Sequence, residues 1–116
     1  MVNAGTADGD FEWIQKHAAG MNVRLDNMSS EIAKLDIQGP NAEKILQKVT
    51  DFNLQEIKRY WFKEIPVCGV TMIVSRSGYT GEDGFELYFS WHGADKNGAG
   101  DENIAEKVWD RLLEVG

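Results

Sequence analysis

The densest concentration of chemically useful residues is the run Arg76-Ser77-Gly78-Tyr79-Thr80-Gly81-Glu82-Asp83-Gly84-Phe85-Glu86. Three glycines in this short stretch allow positive φ and close backbone approach, more than a two-residue hairpin turn requires. Either another group comes up against this loop or the loop folds tightly on itself. Glu86 lies in an alternating run, with Phe85, Leu87 and Phe89 set against Glu86, Tyr88 and Ser90. Its carboxylate therefore stands on a strand face and must reach water or meet a donor. A ligand carrying N–H groups is one such donor. An elaborate turn beside a half-exposed strand is the other reading, and composition does not choose between them.

Other chemically capable residues are isolated. His17 falls on the edge of a helical pattern and His92 beside a loop, with no histidine or cysteine partner at metal-ligand spacing, so a zinc site is disfavoured. Cys68 is the single cysteine. The sequence shows no basic cluster or adjacent histidine to lower its pKa, and it reads as a small apolar filler in a reducing compartment rather than a nucleophile or half of a disulfide. The net charge of -7 repels nucleic-acid phosphates and anionic lipid. No run approaches the roughly 18 to 20 apolar residues of a spanning helix, and the N-terminus shows no secretory pattern. Nucleic acid and membrane are therefore poor candidate partners.

The elements that must position these groups follow from periodicity. Val2-Asn3-Ala4-Gly5 reads as a strand tail. Thr6 can cap a helix carrying Phe11, Ile14, Ala18 and Met21, stopped near residues 17–19 by Gly20. Val23 and Leu25 alternate with polar neighbours, as do Ala33, Leu35 and Ile37, predicting two strands. Gly39-Pro40-Asn41 starts a second helix with an apolar stripe of Ala42, Ile45, Leu46 and Val49. Tyr60-Trp61-Phe62 favours an extended segment ending at Pro66. Val70, Met72 and Val74 interleave with the partly apolar Thr71, Ile73 and Ser75, predicting a central strand covered on both faces, in a hairpin with Phe85–Phe89. Residues 93–100 read as a flexible Gly-rich loop, and Asp101 as the cap of a last helix burying Ala105, Val108, Trp109 and Leu112. With 42% hydrophobic residues in 116, one core and one domain are expected. The fold class is α+β, a mainly antiparallel sheet with about three helices on one face, in the order βαββαβββα.

Three stretches, Gly78-Tyr79-Thr80-Gly81-Glu82-Asp83-Gly84-Phe85-Glu86, Asn3-Ala4-Gly5 and Gln38-Gly39-Pro40, occur in the order and at the spacing of the glycine cleavage system T-protein family, which this chain resembles over nearly its whole length. The resemblance implies part of an aminomethyltransferase that moves the one-carbon unit of an aminomethyl-lipoyl H-protein to tetrahydrofolate and releases ammonia. It implies folate contacts at Glu86, Tyr79, Asn3, Val2 and Tyr60. Glu86 would recognise the pterin, Tyr79 would line the pocket and Asn3 would lie near the reacting end. Tyr60 and Trp61 fall where the family places aromatic wall residues, although the residues alone favour core packing. The family's catalytic aspartate belongs to a segment upstream of Asn-Ala-Gly that this sequence lacks. No catalytic residue is therefore expected here, and the chain is expected to be inactive alone, with self-association through surfaces that the parent would cover. Cytoplasm, or mitochondrial matrix in a eukaryote, is the expected location. The alternatives are the folate-binding portion of a dimethylglycine or sarcosine dehydrogenase-like protein, and a non-catalytic folate-binding module. Relatives of the latter kind that assist iron–sulfur protein maturation carry a cysteine motif in place of this loop.

Overall fold

The alternating runs pair into one four-stranded antiparallel sheet. A computed structural model of the chain describes residues 2–78, 81–90 and 103–116. Contacts divide the chain into two units, one ending at Ser30 and the other Glu31–Gly116.

The second unit holds the sheet and the core. Its strands are β1 (Ile32–Gln38), β2 (Phe62–Val67), β3 (Val70–Ser75) and β4 (Gly84–Ser90), in spatial order β1-β4-β3-β2. The register pairs Ala33 with Phe89, Leu35 with Leu87, Ile37 with Phe85, Val74 with Leu87 and Ile65 with Met72. Paired residues share a face, so one side of the sheet is apolar. Over it lie α2 (Ala42–Leu46) and α3 (Ile104–Val115), which add Ala42, Leu46 and Val108 to the core cluster. Phe85, Leu87, Val74 and Leu46 are completely buried. The hairpin β2–β3 turns through Cys68 and Gly69, both at positive φ (52° and 77°), the geometry of a two-residue turn matched to strand twist. Half-buried Cys68 has its thiol pushed up by burial, against a smaller lowering effect of the Arg111 charge, a basic neighbour supplied by α3.

The first unit is helical. The chain turns through a 3-10 segment, Ala4–Thr6, into α1 (Ala7–Ala18), and Gly20 follows at φ 84°. The helix limits agree with the spacing of Phe11, Ile14 and Ala18. The cap does not: the Thr6 hydroxyl donates to Asp10 Oδ2 at 2.8 Å instead of serving a backbone N–H.

Several expectations are corrected. Val2–Gly5 is not a strand, because the Asn3 carbonyl accepts the Thr6 N–H at 3.1 Å and winds the chain into a helix. Val23–Leu25 is not a strand either. Its residues are exposed and join no ladder, so alternation there has no buried face to serve. The described order is therefore αβαβββα within the same α+β class. β3 lies inside the sheet, but only its Met72 and Val74 face is covered, and Ile73 on the other face is 41% exposed. In α3 Val108 is buried while Trp109 is 51% exposed, one position beyond the inward stripe. The expected flexible loop at 93–100, the Asp101 cap and His92 lie outside the described residues.

Candidate functional site

Strand β4 is buried on one face by Phe85, Leu87 and Phe89, and the pleat must therefore turn Glu86 and Tyr88 to the other. Register brings Asp36 of β1 directly opposite Glu86 on one side and Ser75 of β3 opposite it on the other. Lys34, facing Tyr88, reaches diagonally. Its ammonium lies 2.7 Å from Glu86 Oε1 and 3.1 Å from Asp36 Oδ2. The Ser77 hydroxyl donates to Glu86 Oε2, and Ser77 and Ser75 hydroxyl oxygens lie 2.9 Å apart.

Glu86 is thus a fixed anion with its side chain 18% exposed. The hydrogen bond from Lys34, then that from Ser77, hold its carboxyl below the usual glutamate range against the opposing effect of burial. Burial lowers the Lys34 pKa, but its bonds to Glu86 and Asp36 outweigh this and leave it raised. Tyr88, which also bonds Glu86, is pushed up by burial and by the Glu86 charge. The internal donors answer the question posed by a carboxylate on this strand: Glu86 has partners from its own chain.

The Gly-rich loop is held from two sides. Arg76 grips Asp83 through two bonds, Nε to Oδ1 at 3.0 Å and Nη2 to Oδ2 at 2.5 Å. The same Nη2 reaches Glu43 Oε2 at 2.5 Å, and Nη1 donates to the carbonyls of Leu54 and Ile57 at 3.4 and 3.3 Å. The guanidinium lies 5.1 Å from the centre of the Phe85 ring. One planar fork therefore ties both ends of the loop to α2 and to the 3-10 turn at Leu54–Glu56. Arg76 holds the Asp83 carboxyl below its ordinary range, and Asp83 raises the already high pKa of Arg76.

From the other side the Gln38 amide lies against Gly78 and Gly84, and a Cβ on either would fall 2.1 or 2.4 Å from Gln38 Oε1. Gly39 N–H donates to the Asp83 carbonyl at 2.9 Å. The glycines are needed because Gln38 comes up against the loop, which is the close approach its composition demands.

Tyr60 joins the same neighbourhood through its backbone. Its N–H donates to the Arg76 carbonyl at 2.8 Å, and the Arg76 N–H donates to the Trp61 carbonyl at 2.9 Å. Tyr60 adopts φ 67° in the turn closed by Trp61 N–H to Lys58 O, a position that favours glycine and costs another residue about 1–2 kcal/mol. Tyr60 is 74% exposed and Trp61 59% exposed, which rules out the core-packing reading for both.

Of the sequence candidates, Glu86 and Tyr60 both border Arg76–Ser77 in the second unit. Val2 and Asn3 are exposed residues of the first unit, and Tyr79 lies outside the described residues. Reading the sequence assigned no role to Lys34, Ser77, Gln38 or Arg76. Lys34 and Asp36 could have been found only by knowing the β1–β4 register. A polar hollow of about 790 Å³ opens among Glu43, Lys44, Gln47 and Asp83, behind the Arg76 fork, and Glu86 does not line it. Among the described residues no cluster of histidine, cysteine or carboxylates could hold a metal. His17 stacks on Trp13 with its Nδ1 at 2.7 Å from the Trp13 carbonyl. No described helix is long and apolar enough to cross a membrane.

The chain belongs to the GCVT N-terminal domain family, whose model matches residues 1–116. Among curated proteins it is 47% identical to the aminomethyltransferase of Desulfitobacterium hafniense (strain DSM 10664 / DCB-2) over 116 residues, and 46% identical to that of Bacillus mycoides (strain KBAB4) over 117. Each match covers the whole chain, which spans only 29% of the length of these relatives. Among solved structures, the heterotetrameric sarcosine oxidase from Corynebacterium sp. U-96 superposes with a TM-score of 0.62 at 17% identity, over 97% of this chain and 52% of that one. At that identity the likeness is one of fold.

Proposed function

We propose that this chain forms part of the folate pocket of a tetrahydrofolate-dependent aminomethyltransferase acting in glycine cleavage, with Glu86 as the acceptor for the pterin. What supports the reading is the family match over the whole chain, together with a carboxylate on the polar face of β4 whose side chain is 18% exposed; its pairing with Lys34 is the feature that weighs against it. A pterin presents its 2-amino group and ring N3–H as two parallel donors, and a carboxylate accepts such a pair as a fork. The acceptor chemistry fits. A carboxylate offers about four lone-pair directions, and Lys34, Ser77 and Tyr88 already use some of them. Accepting the fork therefore requires a donor to yield. Ser77 can do so, because the Ser75 hydroxyl oxygen 2.9 Å away remains its partner.

In this reading Tyr60, whose backbone N–H bonds the Arg76 carbonyl beside Ser77, supplies further wall from the same unit. Bound tetrahydrofolate supplies the nitrogens that take up the one-carbon unit. The chain's own residues bind and orient it, and proton transfer falls to residues elsewhere in the parent protein, which is also where the lipoyl arm of an H-protein would enter. Cytoplasm or mitochondrial matrix is the setting that fits this substrate.

The test is calorimetric titration of tetrahydrofolate into the full-length protein and its Glu86→Ala variant. Loss of a charged hydrogen bond costs about 1.5–3 kcal/mol, a fall in affinity of about ten- to 150-fold. Equal affinity for both proteins would remove Glu86 from the site.

A further inference from the structure

Asp36 and Glu86 stand directly opposite one another across β1 and β4, with both side chains on the polar face. Like charges placed directly opposite one another on a sheet repel. Lys34 answers both, with its single ammonium 2.7 Å from Glu86 and 3.1 Å from Asp36. The geometry is that of a bridge. Lys34 sits one pleat repeat from Asp36 on the same strand and reaches across the ladder to Glu86, while Ser77 holds the other carboxylate oxygen.

We propose that Lys34 is a positioning residue for Glu86: by bridging the facing carboxylates it keeps Glu86 an oriented anion, and so sets how far into acid the site can bind its ligand. The inference rests on the reading of Glu86 as the folate acceptor. Among the described residues, the charged and titratable groups facing Glu86 are Lys34 and Asp36 on β1 and Tyr88 on β4. Ser75 and Ser77 supply hydroxyls, and Glu64 of β2 shares the face two strands away, across Ile73 and Tyr88. Among the described residues Lys34 is the cation of this group, so its removal leaves Glu86 beside Asp36 with the hydroxyls of Ser77 and Tyr88 as its described donors.

The experiment measures tetrahydrofolate affinity of the full-length protein as a function of pH for the wild type, Lys34→Met and Lys34→Arg. Lys34→Met keeps the aliphatic stem and removes the charge. Its acid limb is expected to lie about one pH unit or more above that of the wild type, the size expected for losing an adjacent opposite charge. Lys34→Arg restores a cation and returns the limb toward the wild-type position. A residue that merely packed would lower affinity equally at every pH and would not be rescued by charge. Should Lys34→Met fail to fold, Lys34→Gln makes the same comparison. A neutral variant whose pH profile superimposes on the wild type overturns the assignment. The two readings fail separately: an unaltered affinity in Glu86→Ala removes the folate reading, whereas a loss in Glu86→Ala with an unmoved acid limb in Lys34→Met rejects the role of Lys34 alone.

Discussion

Replacing Gly84 by alanine tests whether the Gly-rich loop is shaped by Gln38. A Cβ at Gly84 would lie 2.4 Å from Gln38 Oε1 and 2.6 Å from its Cδ, distances that no methyl group tolerates. Gln38 cannot escape toward Gly78, where a Cβ would already lie 2.1 Å from the same oxygen, so the amide must rotate out of its place. Rotation is available to a long side chain, which puts the cost at the lower end of the overpacking range, about 1–2 kcal/mol. Loss of the Gln38 Nε2 donation to the Ser77 carbonyl, at a weak 3.4 Å, adds little. Urea unfolding of the wild type, Gly84→Ala, Gln38→Ala and the double variant closes a thermodynamic cycle. If the methyl and the amide compete for one space, the double variant is more stable than the sum of the singles by about 1 kcal/mol, inside the range for residues in contact. Strict additivity, or a Gly84→Ala protein as stable as the wild type, would refute the reasoning.

The core and the ion pairs give further expectations. Phe85→Ala removes a completely buried ring between sheet and helices and should cost about 3–5 kcal/mol, read as a lower denaturation midpoint at unchanged slope. The carboxyls of Asp83 and Glu86 both titrate below their ordinary ranges in the folded chain, so each stabilises the fold above its unfolded pKa, and that contribution disappears as pH falls through the folded value. Stability should therefore decline on acidification below about pH 4–5, and in Arg76→Met the share owed to Asp83 should shrink to what the Gly84 N–H and Arg59 supply, so that melting temperature falls less steeply with acid than in the wild type.

Much of the architecture could be read from pattern. The alternation of Ala33, Leu35 and Ile37 against charged neighbours, and of Phe85, Leu87 and Phe89 against Glu86 and Tyr88, corresponds to β1 and β4 with their buried faces as expected. Helix α1 ends where Gly20 signals it. The failures share a cause. Val2–Gly5 and Val23–Leu25 have strand-like composition, but a strand exists only with a ladder partner, and pairing is not a local property. Ile73, Tyr60, Trp61 and Trp109 are apolar yet exposed, since apolar character permits burial without requiring it. The site was half legible for the same reason. Glu86 drew attention as a carboxylate in an apolar run, whereas Lys34, Asp36 and Ser77 become its neighbours only through register, and Gln38 meets Gly78 and Gly84 only through the crossing of β1 with the loop.

The placement of β1 beside β4 has a bearing on biosynthesis. β2, β3 and β4 follow one another as neighbours and can zip up locally as they leave the ribosome, but β1, made first, must wait for the last strand before it finds its ladder. Until then its apolar residues and the bare margin of β4 lie open to wrong partners. The bridge of Lys34 to Glu86 closes only at that final docking, so a nascent chain has no assembled carboxylate site until the whole sheet has emerged.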